Sequence, residues 1–150
     1  GLSTPALAQG TIELRMVHSW PKGLPGAGTG AERLARNIEE MSGGRLRIRV
    51  FAAGELVPAL RCMDAVMDGT ADMGHDASFY HHGKHPAFSV FFAVPFGMTA
   101  DEQAAWLLHG GGQALWDELN DRFGIVAFPA GQTSAQSFGW FKKEMNAAAD

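Results

Sequence analysis

A strand-like run, a helix-like run and a second strand-like run follow one another near the start of this chain, and this order most constrains its fold. Apolar and polar residues alternate over residues 11–17 and again over 46–50, which is the period-two pattern of a strand with one buried face. Between them, apolar residues recur at helical spacing over 31–41, and Gly43 and Gly44 follow as a stop signal. Because a crossover helix joins parallel strands, this order predicts a parallel pair.

The middle of the chain continues the alternation of helix and strand. A second helix is predicted from about Pro58 to near Gly69, and a brief strand follows within residues 70–76. Glycine and proline punctuate residues 78–98, which predicts a structured loop with a helical turn or two. The predicted fold class is therefore α/β, with a mostly parallel mixed sheet flanked by helices.

The last third of the chain carries a clear helix start. Thr99 and Glu102 have the spacing of a capping box, which predicts a helix beginning two residues after the threonine. Three consecutive glycines at 110–112 are expected to kink or divide the helical stripe that follows. Beyond it we predict a short buried strand over 125–128 and a last strand over 132–143.

Composition excludes several classes of protein. The 150 residues suffice for about one ordinary domain, and 46% hydrophobic with 19% charged residues predicts folding rather than disorder. The net charge of −4 comes without a basic block, so no nucleic-acid partner is expected. No apolar stretch is long enough for a bilayer span, so we do not expect the chain to span a membrane. A single cysteine, Cys62, excludes an intramolecular disulfide framework.

The first residues resemble the end of a secretory signal. Signal peptidase requires small side chains at the first and third positions before its cut, and Ala8 and Ala6 fit a cut before Gln9. Residues 1–8 are therefore interpreted as a signal-peptide remnant or as a disordered tail. The first interpretation predicts export from the cytoplasm.

The glycines that open the first helix suggest one class of enzyme. Gly26, Gly28 and Ala31 fit the dinucleotide-binding fingerprint, which would make the chain half of a dinucleotide-dependent oxidoreductase. That fingerprint needs a strand that turns directly into the helix, so that the pyrophosphate meets the first amide donors. Here eight residues, two of them prolines, separate Val17 from Gly26. The oxidoreductase is kept as the alternative function.

Histidines are dense over residues 75–85. Imidazole and carboxylate groups together can hold a transition metal. No acid lies between His81 and His85, however, as the zinc protease motif requires. Solvated or hydrogen-bonded loop histidines are the favoured interpretation.

Neutral hydrogen-bonding side chains gather after the strand predicted over 125–128. They are Gln132, Thr133, Ser134, Gln136 and Ser137. Open α/β sheets bind ligands at this kind of position, and uncharged amides and hydroxyls orient a small polar ligand without titrating. The pattern favours binding over catalysis, while a polar edge strand remains the other interpretation.

Two segments carry a family resemblance. Residues 77–98, "ASFYHHGKHPAFSVFFAVPFGM", and residues 130–144, "AGQTSAQSFGWFKKE", resemble the extracytoplasmic solute-binding subunits of TRAP transporters, in the branch that includes 2-oxo acid binders. The resemblance extends from about Gln9 to Asp150. It implies that residues 9–150 are the N-terminal lobe of a two-lobed, periplasmic-binding-protein-like receptor, with the second lobe largely missing from this chain.

The resemblance also implies a site and its partners. The ligand would be a small organic carboxylate, a 2-oxo or 2-hydroxy acid, and the receptor would deliver it to TRAP membrane subunits without acting as an enzyme. The implied ligand-binding residues are Gln132, Tyr80, Trp20 and Phe96, and Gln136 resembles an amide-oxygen ligand of a bound sodium or calcium ion. The family's ligand-clamping arginine falls beyond the residues of this chain.

Overall fold

The computed structural model describes residues 10–133 and 140–144. Along these residues, three strands alternate with helices in the first half, and helices alone follow in the second. In chain order the elements are β1 (Ile12–His18), α1 (Ala27–Met41), β2 (Leu46–Phe51), α2 (Cys62–Met67), β3 (Met73–His75), a first 3₁₀ helix (Ser78–His81), a second 3₁₀ helix (Pro86–Ser89), α3 (Ala100–His109) and α4 (Gly112–Asp121).

The three strands form one parallel sheet in the order β2, β1, β3. The β1–β2 register begins at Ile12 opposite Leu46, and the β1–β3 register ends at His18 opposite His75. Helix α1 packs against β2, and α2 packs against β3 and β1. The predicted parallel pair and the predicted α/β class are confirmed, and the carboxyl ends of all three strands lie at one edge.

Helix α1 forms where its sequence provides both a start and a small-residue face. Thr29 Oγ1 accepts a hydrogen bond from Gly26 N at 3.2 Å, which satisfies a donor just before the first turn. Gly28, Ala31 and Ala35 are its buried residues. A Cβ atom at Gly28 would lie 2.8 Å from the carbonyl oxygen of Pro21, so this close approach requires glycine.

Among the described residues, the buried hydrophobic side chains form two clusters. One contains Met63, Phe88, Phe91, Leu107 and Leu119, and the other contains Val17, Cys62, Ala65 and Ala71. The Phe91 ring stacks with the rings of Trp106 and Trp116 at centroid distances of 5.8 and 5.7 Å. Offset aromatic contacts of this kind stabilise a core beyond the area that they bury. The first cluster therefore ties α3 and α4 to α2, to the second 3₁₀ helix and to the segment that follows this helix.

The predicted capping box is present at the start of α3. Glu102 N donates to Thr99 Oγ1 at 3.4 Å, and Thr99 N donates to Glu102 Oε2 at 2.7 Å. The helix begins at Ala100, one residue earlier than predicted. The glycines at 110–112 separate α3 from α4 as expected, and a Cβ atom at Gly112 would lie 2.7 Å from the Trp106 ring.

The second helix is shorter than the sequence predicts. It covers Cys62–Met67 rather than the span from Pro58 to Gly69. Leu60 adopts a left-handed φ of 64°, which a right-handed helix cannot include. The helix therefore starts only after this residue.

The prediction of a strand over 125–128 is wrong. These residues form no sheet pairing with the described strands, and Val126 and Phe128 are 72% and 73% exposed. Their backbone is held by α4 instead: Gln113 Nε2 donates to the Ala127 carbonyl at 2.7 Å. A four-residue apolar run has too little periodicity to distinguish a strand from such a segment. The strand predicted over 132–143 is likewise absent at 132–133 and 140–143, and residues 134–139 lie outside the described residues.

Candidate functional site

The carboxyl edge of the sheet brings two histidines together. His18 ends β1, His75 ends β3, and the two are register partners. Each is followed at once by a polar residue, Ser19 and Asp76 respectively. Ligands of open α/β sheets bind outside the carboxyl ends of the strands, where chain connections leave a crevice. The carboxyl edge of this sheet is therefore a candidate binding site.

Trp20 joins these histidines to Tyr80. Its ring lies 6.2 Å from that of His18, 5.6 Å from that of His75 and 6.4 Å from that of Tyr80, measured between centroids. Its carbonyl accepts a hydrogen bond from Ala53 N at 3.1 Å, which anchors it beyond the end of β2. We call Trp20, His18, His75 and Tyr80 the edge cluster.

Burial keeps the two imidazoles of the edge cluster uncharged. It lowers the pKa of His18, although the negative charges of Glu32, Glu55 and Asp76 partly oppose this effect. It also lowers the pKa of His75, and the neighbouring His18 lowers it further. Both rings are therefore neutral at pH 7. Trp20 N donates to His18 Nδ1 at 3.3 Å, which places the ring proton of His18 on Nε2.

Ser19, which lies between His18 and Trp20 in the chain, forms buried contacts with Cys62 and Leu60. Ser19 Oγ lies 3.2 Å from Cys62 Sγ and accepts a hydrogen bond from Leu60 N at 3.0 Å. Burial raises the pKa of the Cys62 thiol to about 12, and the charge of Asp76 contributes to the rise. Because the thiolate is the reactive form, this cysteine is a packing group and not a nucleophile.

The turn that carries Tyr80 is fixed at both ends. Asp76 Oδ1 accepts a hydrogen bond from Ala77 N at 2.8 Å, and Tyr80 N donates to the Ala77 carbonyl at 3.0 Å. At the other end, His81 Nε2 lies 3.2 Å from Asp76 Oδ2. The Tyr80 ring also lies 4.4 Å from that of Phe79. Tyr80 thus projects from a tightly held segment.

The structure brings together two of the residues expected to bind the ligand. Trp20 and Tyr80 meet in the edge cluster. Phe96 has a left-handed φ of 59° and a side chain that is 97% exposed. Gln132 is exposed beyond α4, and Gln136, the expected cation ligand, lies outside the described residues.

His18 was not predicted as a site residue, and His75 was considered only as one of the histidines that could hold a transition metal. A repeated pattern marks both: Met, any residue, His and then a polar residue closes β1 and β3 alike. Parallel register aligns the two copies, so each histidine faces the same edge. Within residues 10–133 and 140–144, no three histidine, cysteine or acidic side chains are placed to hold a metal ion.

The glycine loop does not form a dinucleotide site. β1 ends at His18 and α1 begins at Ala27, so the strand does not turn directly into the helix as the fingerprint requires. Gly28 serves close packing against Pro21 instead. A shallow depression of about 400 Å³ does lie at the carboxyl end of β2, and Lys22, Arg49, Val50, Phe51 and Glu55 line it.

Comparison with known proteins gives consistent matches. The sequence profile of the family described as bacterial extracellular solute-binding protein, family 7, matches residues 16–150. A monocarboxylate 2-oxoacid-binding periplasmic protein of Nostoc sp. is 48% identical over 139 residues, which are 93% of this chain and 38% of that protein.

Two crystal structures of TRAP periplasmic solute-binding proteins share the fold. The protein from Pseudoalteromonas atlantica, with bound sodium and pyruvate, is 43% identical with a TM-score of 0.86 over 91% of this chain and 41% of its own. The protein from Colwellia psychrerythraea, with bound calcium and pyruvate, is 40% identical with a TM-score of 0.87 over 93% of this chain and 42% of its own. The chain therefore spans about two fifths of the length of these relatives.

Proposed function

Since this chain belongs to family 7 of the bacterial extracellular solute-binding proteins, we propose that it forms one lobe of a periplasmic receptor for a small 2-oxo acid. The acid binds together with a sodium or calcium ion, and the receptor delivers it to a TRAP membrane transporter. Residues 9–150 are the N-terminal lobe in this proposal, and residues 1–8 are the remnant of an export signal.

The observation that carries the proposal is the contact of Trp20 and Tyr80 at the carboxyl edge of the sheet. Their rings lie 6.4 Å apart beside the neutral imidazole of His75. Aromatic faces suit a small planar acid, and uncharged N–H and O–H groups orient its oxygens without competing charge. This combination of apolar rings and a few polar groups is suited to binding a small carboxylate.

Further residues complete the proposed site. Gln132 donates its amide to the ligand carboxylate, Phe96 adds an apolar surface, and Gln136 gives its amide oxygen to the cation. Carboxamide and carboxylate oxygens are hard ligands, which suit sodium or calcium better than a transition metal. The pyruvate held with sodium in one relative and with calcium in another supports this choice of acid and cation.

The cellular role in the proposal follows from the family. Its members are transport receptors, and the Nostoc relative is named as a periplasmic protein. In the part of the chain that the structure describes, no helix has the length and apolar character to cross a bilayer. We propose a receptor that binds and releases its ligand unchanged.

Calorimetric titration tests the proposal. The intact protein is titrated with pyruvate and other 2-oxo and 2-hydroxy acids, with and without sodium and calcium, and NADH is the control for the oxidoreductase alternative. We expect saturable binding of at least one 2-oxo acid that strengthens with a cation, and no NADH binding. Silence across all the acids, or saturable NADH binding, contradicts the proposal.

A further inference from the structure

Asp76 and His81 form a buried contact that joins the two ends of the segment bearing Tyr80. Asp76 follows β3, His81 ends the first 3₁₀ helix, and His81 Nε2 lies 3.2 Å from Asp76 Oδ2. The two side chains are only 10% and 8% exposed. The contact therefore joins the end of the sheet to the far side of the turn that presents the tyrosine ring.

A buried carboxylate at this position needs an explanation. Asp is almost never this buried without a partner, because removing its charge from water is unfavourable. Asp76 Oδ1 accepts a hydrogen bond from Ala77 N. Oδ2 accepts no aligned hydrogen bond from the described residues. The imidazole of His81 lies 3.2 Å from this oxygen, and the thiol of Cys62 also lies against the carboxylate. Since a well-packed apolar pair often stabilises a fold as well or better, this polar pair points to a role in geometry.

The packing around His81 shows what the pair connects. The His81 ring makes an edge contact with Phe88 at 6.0 Å, and Phe88 is 2% exposed in the first core cluster. Tyr80 directly precedes His81, and its ring faces Trp20. His81 thus packs on a buried core residue, lies against Asp76, and directly follows Tyr80 of the edge cluster.

We propose that Asp76 and His81 are positioning residues that hold Tyr80 against Trp20 in the geometry that binds the 2-oxo acid. The inference rests on the proposed function, since it concerns the same site. Neither residue needs to touch the ligand. Loss of either one lets the turn shift, so the Tyr80 hydroxyl no longer meets the ligand at the right place.

A double-mutant cycle tests this inference in the intact protein. Pyruvate affinity is measured by calorimetry, with sodium or calcium present, for the wild type, D76N, Y80F and the D76N/Y80F double variant. We expect D76N to weaken binding about tenfold when Tyr80 is present and less than about twofold in the Y80F background, a coupling within the usual range for linked residues. H81Q is expected to reproduce this pattern.

The chain offers a matched control at Asp64. This carboxylate pairs with Lys84 near the same segment, but it lies on α2 and forms no hydrogen bond or ion pair with Asp76 or His81 among the described residues. The hydrogen bond from Lys84 and, to a smaller extent, the proximity of His81 lower the pKa of Asp64. D64N makes the same change from carboxylate to amide while both side chains of the proposed pair stay in place. It is expected to change pyruvate affinity by less than about twofold.

The outcomes separate the inference from the proposed function. If D76N weakens binding equally with and without the Tyr80 hydroxyl, or if D64N matches D76N, the inference is overturned while the receptor proposal remains. If neither D76N nor H81Q folds cooperatively, the pair is structural and the inference is overturned as well. If the wild type binds none of the acids, the proposed function fails and the inference fails with it.

Discussion

His18 and His75 are register partners at the carboxyl ends of β1 and β3, and Trp20 lies against both imidazoles. Burial lowers the pKa of each, and for His75 the neighbouring His18 lowers it further. The folded edge therefore disfavours two adjacent positive charges. Acidification must either unfold this edge or force a proton into it, and that links the stability of the lobe to pH.

The first prediction concerns this link. In the unfolded chain both histidines take up protons near their ordinary pKa of about 6.5, whereas the folded state takes them up only at lower pH. The unfolded state then binds more protons, so stability falls as pH drops below about 6.5. Thermal unfolding is expected to show a lower melting temperature at about pH 5.5 than at about pH 7.5.

The H75Q variant isolates one of these groups. It is expected to flatten the fall in melting temperature, because one imidazole with a lowered pKa has been removed. H109Q, which changes an exposed histidine at the end of α3, is the control and is expected to keep the wild-type dependence. An H75Q profile as steep as that of the wild type contradicts this explanation.

The second prediction concerns Cys62. Burial raises the pKa of this thiol to about 12, and its side chain is 1% exposed. A thiol that stays protonated and inaccessible reacts slowly with disulfide reagents. Titration with such a reagent at mildly alkaline pH is expected to leave Cys62 unmodified in the native protein and to modify it rapidly in denaturant. Equal rates of modification in the two states contradict the burial of Cys62 against Ser19.

The third prediction concerns the core. Phe88 is among the largest fully buried side chains and lies 5.3 Å from the Phe123 ring. F88A is expected to reduce the free energy of unfolding by about 3 to 5 kcal/mol, because it removes buried surface and leaves a cavity. Denaturant unfolding measures this change. F96A removes the same ring from a position that is 97% exposed, and its effect is expected to stay within about 0.5 kcal/mol.

The fourth prediction concerns the capping box of α3. T99A removes the hydroxyl that accepts the hydrogen bond from Glu102 N. We expect it to lower the free energy of unfolding by about 1 kcal/mol, the usual effect of losing an N-cap side chain. T11A, at an exposed threonine just before β1, is the matched control for the same chemical change. A T99A effect no larger than that of T11A shows that the box does not stabilise the helix.

The parts of the fold that follow from local rules could be predicted from the sequence. Alternation predicted β1 and β2, and the helix between them predicted their parallel pairing. Helical spacing predicted α1, and the Thr99–Glu102 pair predicted the start of α3 to within one residue. Each depends on residues that are close in the chain, so periodicity and capping chemistry suffice. The glycines at 110–112 mark a helix break for the same reason.

The parts that depend on distant contacts could not be predicted. The left-handed conformation of Leu60, which shortens α2, accompanies the hydrogen bond that its N–H donates to Ser19 Oγ across 41 positions. Val126 and Phe128 are exposed, which shows that a short apolar run does not by itself specify pairing in a sheet or burial in the core. The position of His18 in the site depends on the sheet register, which places it opposite His75.

Titration of W20A and W140A with pyruvate, each in the intact protein, tests whether the carboxyl edge of the sheet binds the acid. Trp20 lies within the edge cluster, whereas Trp140 is 97% exposed and is the control for loss of an indole. We expect W20A to bind pyruvate roughly tenfold or more weakly than the wild type, whereas the affinity of W140A stays within about twofold. Wild-type affinity in W20A would show that the carboxyl edge of this sheet does not hold the acid.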